Sequence, residues 1–148
     1  LGAGIHSYSD TTGSVTGSHS VDFSNSEYYW QIMQALTLND ITHYSQEDEL
    51  AELCYNCAVS VDTDFETDIS SALLSDVPYA LESYFGFDNG AEYATIGTVT
   101  DPATWSANIR SNLDSYKPLI WGGSYLLDSY AFILDGYSDD YWYHFNWG

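Results

Sequence analysis

The sequence predicts an α+β fold in which helices come first and antiparallel strands come last. Capping residues precede apolar residues at helical spacing throughout the middle of the chain. Lys117-Pro118 ends the last of these stretches. Beyond it, β-branched and aromatic residues are interrupted by Gly, Ser and Asp, a pattern typical of strands and turns.

The first half of the chain predicts two helices after an extended region. Residues 1–24 are rich in Gly, Ser and Thr, which favours loops and short strands. Asn25 or Ser26 is a candidate cap for the first helix, and residues 45–48 fit a capping box for the second. The apolar positions expected along the first helix are Tyr29, Ile32, Met33 and Leu36.

The second helix carries both cysteines of the chain. Leu50, Leu53, Cys54 and Cys57 recur at helical spacing, which predicts that both thiols are buried in the core. A CxxC pair can also bind zinc or act as a redox centre. Zinc sites usually need a second ligand pair, and thioredoxin-like motifs lie at the start of a helix. We therefore predict structural thiols, no metal and no cofactor.

Two further helices are predicted before the strands. Asp76 and Pro78 are typical of a helix start, and Gly86 is typical of the residue after a helix end. Asp101-Pro102 predicts the start of the last helix, whose apolar face consists of Trp105, Ile109 and Leu113.

The C-terminal region predicts a β-hairpin with strands at residues 130–134 and 141–147 and a polar break at residues 135–140. If the turn centres near Ser138, Tyr130 lies beside Asn146 and Trp147. The hairpin would then end in a small corner of polar and aromatic side chains.

The C-terminal segments YAFILDGY and YWYHFNWG are similar to the motifs H-A-F-V-x-D-G-Y and Y-x-H-F-N-W-G. These motifs belong to the streptopain family of papain-like cysteine peptidases, which this chain resembles. GIHSY, NCAVSVDTDF, SDVPYALESYFGF and IRSNLDSYKPLIWGGS also match family segments, in the same order. The resemblance implies a papain-like fold, in which a helical part carries the nucleophile and a C-terminal antiparallel sheet carries the base. It also implies a protein or peptide substrate, a secreted protein, and a pro-segment or inhibitor as a further partner.

Two departures from the family pattern bear on catalysis. The family's catalytic histidine corresponds to Tyr130 here, whereas the matching asparagine and tryptophan are present as Asn146 and Trp147. The family's catalytic cysteine precedes the G-x-H-S-Y segment, and the sequence begins at Leu1. We therefore expect residues 1–148 to be a single partial peptidase domain, truncated at both ends.

The residue at position 130 matters because the thiolate of such a site needs an imidazolium beside it. A phenol loses its proton near pH 10 and never carries a positive charge. We therefore predict that this chain is inactive as a peptidase. The alternatives are an active endopeptidase that tolerates Tyr130, and a non-catalytic relative that binds peptide or glycan.

Other residues could supply chemistry instead. A Cys57–His144 pair is conceivable, but a strand histidine bonded to a backbone partner is the favoured interpretation. His6 and His19 are expected in loops or edge strands. The crowded C-terminal aromatic residues favour sheet packing over a binding platform.

The net charge of −20, with 22 acidic residues against one Arg and one Lys, excludes two classes of partner. A field of this sign repels phosphate backbones and anionic membranes. Adaptation to high salt is a hypothesis that the charge suggests. The acidic residues at positions 62, 64, 66 and 68 lack the pattern of a calcium loop, so a solvated acidic surface is predicted there.

Overall fold

A computed structural model describes residues 4–12, 15–34, 44–99, 101–125, 128–139 and 142–147. The chain divides into two compact units, Leu1–Tyr93 and Ala94–Gly148. In the described residues, the first combines several helices, and the second one helix, with an antiparallel sheet. The predicted α+β class is therefore confirmed. Among the described residues, no helix has the length and apolar character that crossing a membrane requires.

The first unit begins with a hairpin of β1 (Ile5–Thr12) and β2 (Val15–Asp22), which pair from Ile5 opposite Asp22 to Thr12 opposite Val15. Two strands of eight residues replace the loops and short strands that the composition suggested. Alternation places Ser and Thr hydroxyls on one exposed face, where Ser7 and Ser20 pair at 2.8 Å between Oγ atoms. The other face carries His6, Tyr8, Asp10 and His19.

The core of this unit lies beneath that second face. Phe23 and Val59 are almost completely buried, with exposures of 1% and 0%. The Phe23 ring stacks on that of Tyr84 with centroids 4.5 Å apart. Val21 and Ala80 complete the buried cluster, so one core joins the hairpin to the helices that follow.

The helices α1 (Trp30–Gln34) and α2 (Tyr44–Ser60) follow the hairpin. α1 contains the expected apolar positions Ile32 and Met33, and the expected position Leu36 lies outside the described residues. Since α2 already includes Tyr44, Ser45 lies within the helix, and the prediction that a capping box at residues 45–48 opens it is wrong.

The prediction that both thiols of α2 are buried is also wrong, because Cys54 and Cys57 are free and exposed. The face that meets the core instead carries Asn56, Val59 and Ser60. Asn56 is buried, and its Nδ2 donates a hydrogen bond of 3.0 Å to the hydroxyl of Tyr28, which offsets the cost of burying the amide. A satisfied polar residue therefore occupies a core position, and the apolar spacing of the leucines and cysteines follows another side of the helix.

The two later helices confirm their predicted boundaries. α3 (Val77–Tyr84) starts after Asp76, and Gly86 follows its end with a φ of +71°. α4 (Pro102–Asp114) starts after Asp101, whose carboxylate accepts hydrogen bonds from the backbone N–H groups of Ala103 and Thr104.

The second unit is a three-stranded antiparallel sheet in the order β3 (Leu119–Tyr125), β4 (Asp128–Tyr137) and β5 (Tyr143–Asn146). One face packs against α4, where Leu134 and Ile109 have exposures of 1% and 6%. Trp105 of α4 and Trp121 of β3 also meet there, with ring centroids 5.6 Å apart. The opposite face leaves Ile120 47% exposed.

The hairpin register differs from the prediction by about two residues. β4 continues through the expected break to Tyr137, and the turn lies further along the chain, where the Ser138 N–H donates to the Trp142 carbonyl at 2.8 Å. Ile133 therefore pairs with Asn146, so the prediction that Tyr130 lies opposite Asn146 or Trp147 is wrong. The polar residues that suggested a break are accommodated within the strand by a bulge at Asp135.

Candidate active site

Tyr130 lies on β4 directly opposite Gly123 of β3, and 65% of the residue is exposed. Strand alternation places it on the same face as Phe132 and Leu134, which is the face that α4 covers further along the strand. Gly123 has no side chain on this face, where a Cβ would lie 3.5 Å from the Phe132 ring. The Phe132 ring therefore lies against Gly123, while Gly123 and Tyr130 both remain exposed to solvent.

Trp147 lies on the same face as Tyr130. Its ring centroid is 4.6 Å from that of Phe132, and Phe132 is two residues from Tyr130 on β4. The Phe132 ring also meets Phe145 edge to face at 5.1 Å. Since 73% of Trp147 is exposed, its indole presents a free surface near the tyrosine.

Asn146 lies elsewhere on the hairpin. It pairs with Ile133, three residues from Tyr130, which corresponds to roughly 10 Å along the strand. An odd separation also places the two side chains on opposite faces of the sheet. The structure therefore brings Trp147, and not Asn146, onto the face of Tyr130.

The strand histidine that accompanies Asn146 is paired with a carboxylate. His144 Nδ1 lies 2.5 Å from Oδ1 of Asp135, the extra residue of the bulge in β4. The backbone partner expected for this histidine is thus replaced by an acidic side chain. The His144 side chain is 72% exposed, and its Nδ1 is oriented by the carboxylate. A carboxylate-oriented imidazole is an arrangement that can accept and return protons.

A second group of polar residues connects the β1–β2 hairpin to the segment after α2. The imidazole of His6 lies between two partners, with Nε2 2.7 Å from the Asp62 carboxylate and Nδ1 2.9 Å from the Tyr84 hydroxyl. In the neutral ring, Nε2–H donates to Asp62 and Nδ1 accepts from Tyr84. Burial raises the pKa of Tyr84, so its phenol keeps its proton.

His19 forms the centre of a neighbouring network. Its Nε2 lies 3.1 Å from Oδ1 of Asp10, and its Nδ1 lies 3.3 Å from the hydroxyl of Tyr55. The second oxygen of Asp10 accepts a hydrogen bond from the Phe65 N–H at 2.9 Å. That backbone hydrogen bond, with further help from His19, lowers the pKa of Asp10.

Gly17 explains how these groups come so close. A Cβ at this position would lie 2.7 Å from the Asp10 carboxylate and 3.2 Å from Nε2 of His19. The absence of a side chain at Gly17 of β2 therefore leaves room for the contact between Asp10 and His19. His6 and His19 therefore lie on strands, as the edge-strand interpretation expected, but the sequence did not indicate their partners. The alternation of His6, Tyr8 and Asp10 was the one available signal, since it places three polar or aromatic side chains on one face.

Comparison with known proteins identifies the class. The family model described as the Peptidase C10 family matches residues 1–148, so the chain belongs to this family and is a relative of the streptopain-like cysteine peptidases.

The similar proteins include streptopains of Streptococcus pyogenes. The one from serotype M1 is 30% identical over 103 residues, which cover 70% of this chain and 26% of that protein. Streptopain from serotype M28, strain MGAS6180, is 28% identical over the same length and the same shares. The aligned region thus spans about a quarter of the length of these relatives.

Proposed function

We propose that this chain is part of a C10-type peptidase domain that does not cleave peptides through the family's Cys–His dyad. The observation that carries the proposal is the identity of residue 130. YAFILDGY matches the family's H-A-F-V-x-D-G-Y except that tyrosine replaces the histidine and Ile133 replaces the valine. A phenol cannot accept the thiol proton at neutral pH or stabilise the thiolate by positive charge.

The position of Tyr130 supports this proposal. Its side chain is exposed on β4, opposite the exposed Gly123, so a substrate could reach a catalytic group at this position. In a papain-like arrangement, which we propose for the complete domain, the sheet part presents the base to a nucleophile on the helical part. The sheet of β3, β4 and β5 with its covering helix fits that role.

A peptide-binding function without cleavage follows from the same geometry. Tyr130 and Trp147 are exposed on one face near the end of the hairpin, on either side of the Phe132 ring. Exposed aromatic rings give affinity for apolar side chains of a peptide. We propose a protein or peptide ligand for this surface, in a secreted protein as the family resemblance implies.

The role of residue 130 is tested in the natural protein that contains this chain. Casein cleavage would be compared between the wild type, Tyr130→His and Tyr130→Phe. We expect no cleavage above background for the wild type and for Tyr130→Phe. Casein cleavage by the wild type that persists in Tyr130→Phe would contradict the proposal, and loss of that cleavage in His144→Gln would assign the base to His144.

A glycan is the second candidate ligand, favoured by three large exposed rings in this region. Trp142 is 76% exposed, in addition to Trp147 and Tyr130. Calorimetric titration with casein peptides and with soluble oligosaccharides would separate the two. Peptide binding that falls in Trp147→Ala supports the main proposal. Glycan binding that survives replacement of both Asn146 and Trp147 supports a carbohydrate-binding module instead.

A further inference from the structure

We propose that Cys54 and Cys57 form a two-thiolate site for a soft monovalent metal ion, Cu(I). Both cysteines are free and exposed on α2. Residues three apart on a helix are neighbours, with Cβ atoms about 5–6 Å apart, so both sulfurs can reach one ion by rotation about χ1. The inference does not depend on peptidase activity.

The helix that carries the two thiols is fixed from its other sides. Val59 is fully buried, and Asn56, between the cysteines in sequence, donates to the Tyr28 hydroxyl at 3.0 Å. The hydroxyl of Tyr55, also between them, lies 3.3 Å from Nδ1 of His19. The backbone of the CxxC segment is thus held in place while the thiols remain accessible, which is the preorganisation that a ligand pair requires.

The donor set selects the metal. Thiolates are soft ligands that favour Cu(I), and zinc sites usually need four ligands. In the part of the chain that the structure describes, no group of three or more His, Cys, Asp or Glu residues is arranged to hold a metal. Two thiolates are sufficient for a linear Cu(I) complex. Binding replaces two thiol protons with one Cu⁺, and no electron is transferred.

The electrostatic surroundings favour a cation at this position. Glu47, Asp48 and Glu52 are exposed on the same helix, in a chain of net charge −20, and such a field raises the local concentration of positive ions. The ion must displace the protons of both thiols, so the affinity should weaken as the pH falls.

The test is a titration of fully reduced protein with Cu(I) under anaerobic conditions, in competition with a chromophoric Cu(I) chelator. We expect one ion per chain and a thiolate-to-copper absorption band in the ultraviolet. Cys54→Ser and Cys57→Ser should each weaken binding by at least roughly tenfold, because the linear site needs both sulfurs. Affinity should also fall between about pH 8 and pH 6.

His144→Gln is the matched control, because it removes an exposed potential ligand from the other unit of the chain. It should bind Cu(I) as the wild type does. Binding that persists at full affinity in either serine variant, or failure of the wild type to compete with the chelator, would overturn the proposal. Circular dichroism would verify that both serine variants are folded, which we expect because the cysteines are exposed.

Discussion

The hydroxyl of Tyr8 donates a hydrogen bond of 2.6 Å to the backbone carbonyl of Thr63. These residues are 55 positions apart, and the bond joins β1 to the segment that follows α2. Thr63 is only 8% exposed, so little water is available to replace the phenol. Burial, with the negative charge of Asp10 as the next cause, raises the pKa of Tyr8 to about 12.

Removing this hydroxyl should destabilise the protein. Tyr8→Phe leaves the Thr63 carbonyl buried without its donor, which typically costs about 1–3 kcal/mol in the free energy of unfolding. Urea denaturation of the variant and the wild type measures the difference. Tyr116→Phe is the control, because Tyr116 is 96% exposed. This variant should unfold at the same urea concentration as the wild type. Equal midpoints for Tyr8→Phe and the wild type would show that the bond contributes nothing.

The raised pKa of Tyr8 also predicts a loss of stability in alkali. The folded state holds the phenolic proton up to about pH 12, whereas the unfolded chain releases it near the ordinary value of 10.0. The stabilisation is therefore complete below about pH 10 and is lost as the pH rises toward 12. Several tyrosines, Tyr84 among them, also have a raised pKa, so absorbance of tyrosinate near 295 nm should show one fewer late-titrating group in Tyr8→Phe than in the wild type. An unchanged late step in Tyr8→Phe would show that Tyr8 does not contribute to it.

The lowered pKa of Asp10 predicts that the protein loses stability in acid. Because the hydrogen bond from the Phe65 N–H lowers the pKa of Asp10, the folded state favours the carboxylate. Its contribution is present above the unfolded value of 3.8 and is lost as the pH falls through the lower folded value. Asp10→Asn should therefore unfold more easily than the wild type at pH 7, with a difference that shrinks below about pH 4. Thermal unfolding at both pH values measures this, and a difference independent of pH would argue against an ionised Asp10.

Local signals in the sequence predicted the boundaries of α3 and α4, whereas the features that depend on long-range contacts were not predicted. Asp101 caps α4 through N–H groups two and three residues away, so its role can be inferred from the sequence alone. The partners of His6 lie 56 and 78 residues away, and no periodicity indicates them. Cys54 and Cys57 were assigned to the core because the neighbouring leucines share their spacing. The buried face is set instead by Asn56, whose partner Tyr28 belongs to another segment.

The sequence predicted only part of the candidate site, because the rest depends on how the two strands of the hairpin align. The hairpin follows from the alternation of aromatic residues, but the register depends on where the turn closes. The polar residues 135–140 suggested a break, but β4 continues to Tyr137 and absorbs Asp135 in a bulge against His144. This shift moves Asn146 from the predicted place beside Tyr130 to the position opposite Ile133, on the other face of the sheet.

Two adjacent residues on β4 allow the buried face of the strand to be identified by mutation. Leu134 is 1% exposed and Ile133 is 36% exposed, because they lie on opposite faces of the sheet. Leu134→Ala should reduce the free energy of unfolding by about 2–5 kcal/mol, and Ile133→Ala by clearly less. Chemical denaturation of the two variants provides a matched pair. A larger decrease in the free energy of unfolding for Ile133→Ala would mean that Ile133, and not Leu134, lies on the face that α4 covers.

The charge of −20 predicts that the stability of the folded chain depends strongly on salt. Folding brings like charges together, and the screening length falls from about 10 Å at 0.1 M to about 3 Å at 1 M salt. The melting temperature should therefore rise between about 0.05 M and 1 M sodium chloride. The triple variant Asp64→Asn, Glu66→Gln, Asp68→Asn removes three exposed charges and is the control, because general salt effects act on it equally. At low salt, the melting temperature of the triple variant should be higher than that of the wild type, and it should rise less as salt is added. A wild-type melting temperature that does not increase would show that repulsion among the carboxylates is not a significant cost to this fold.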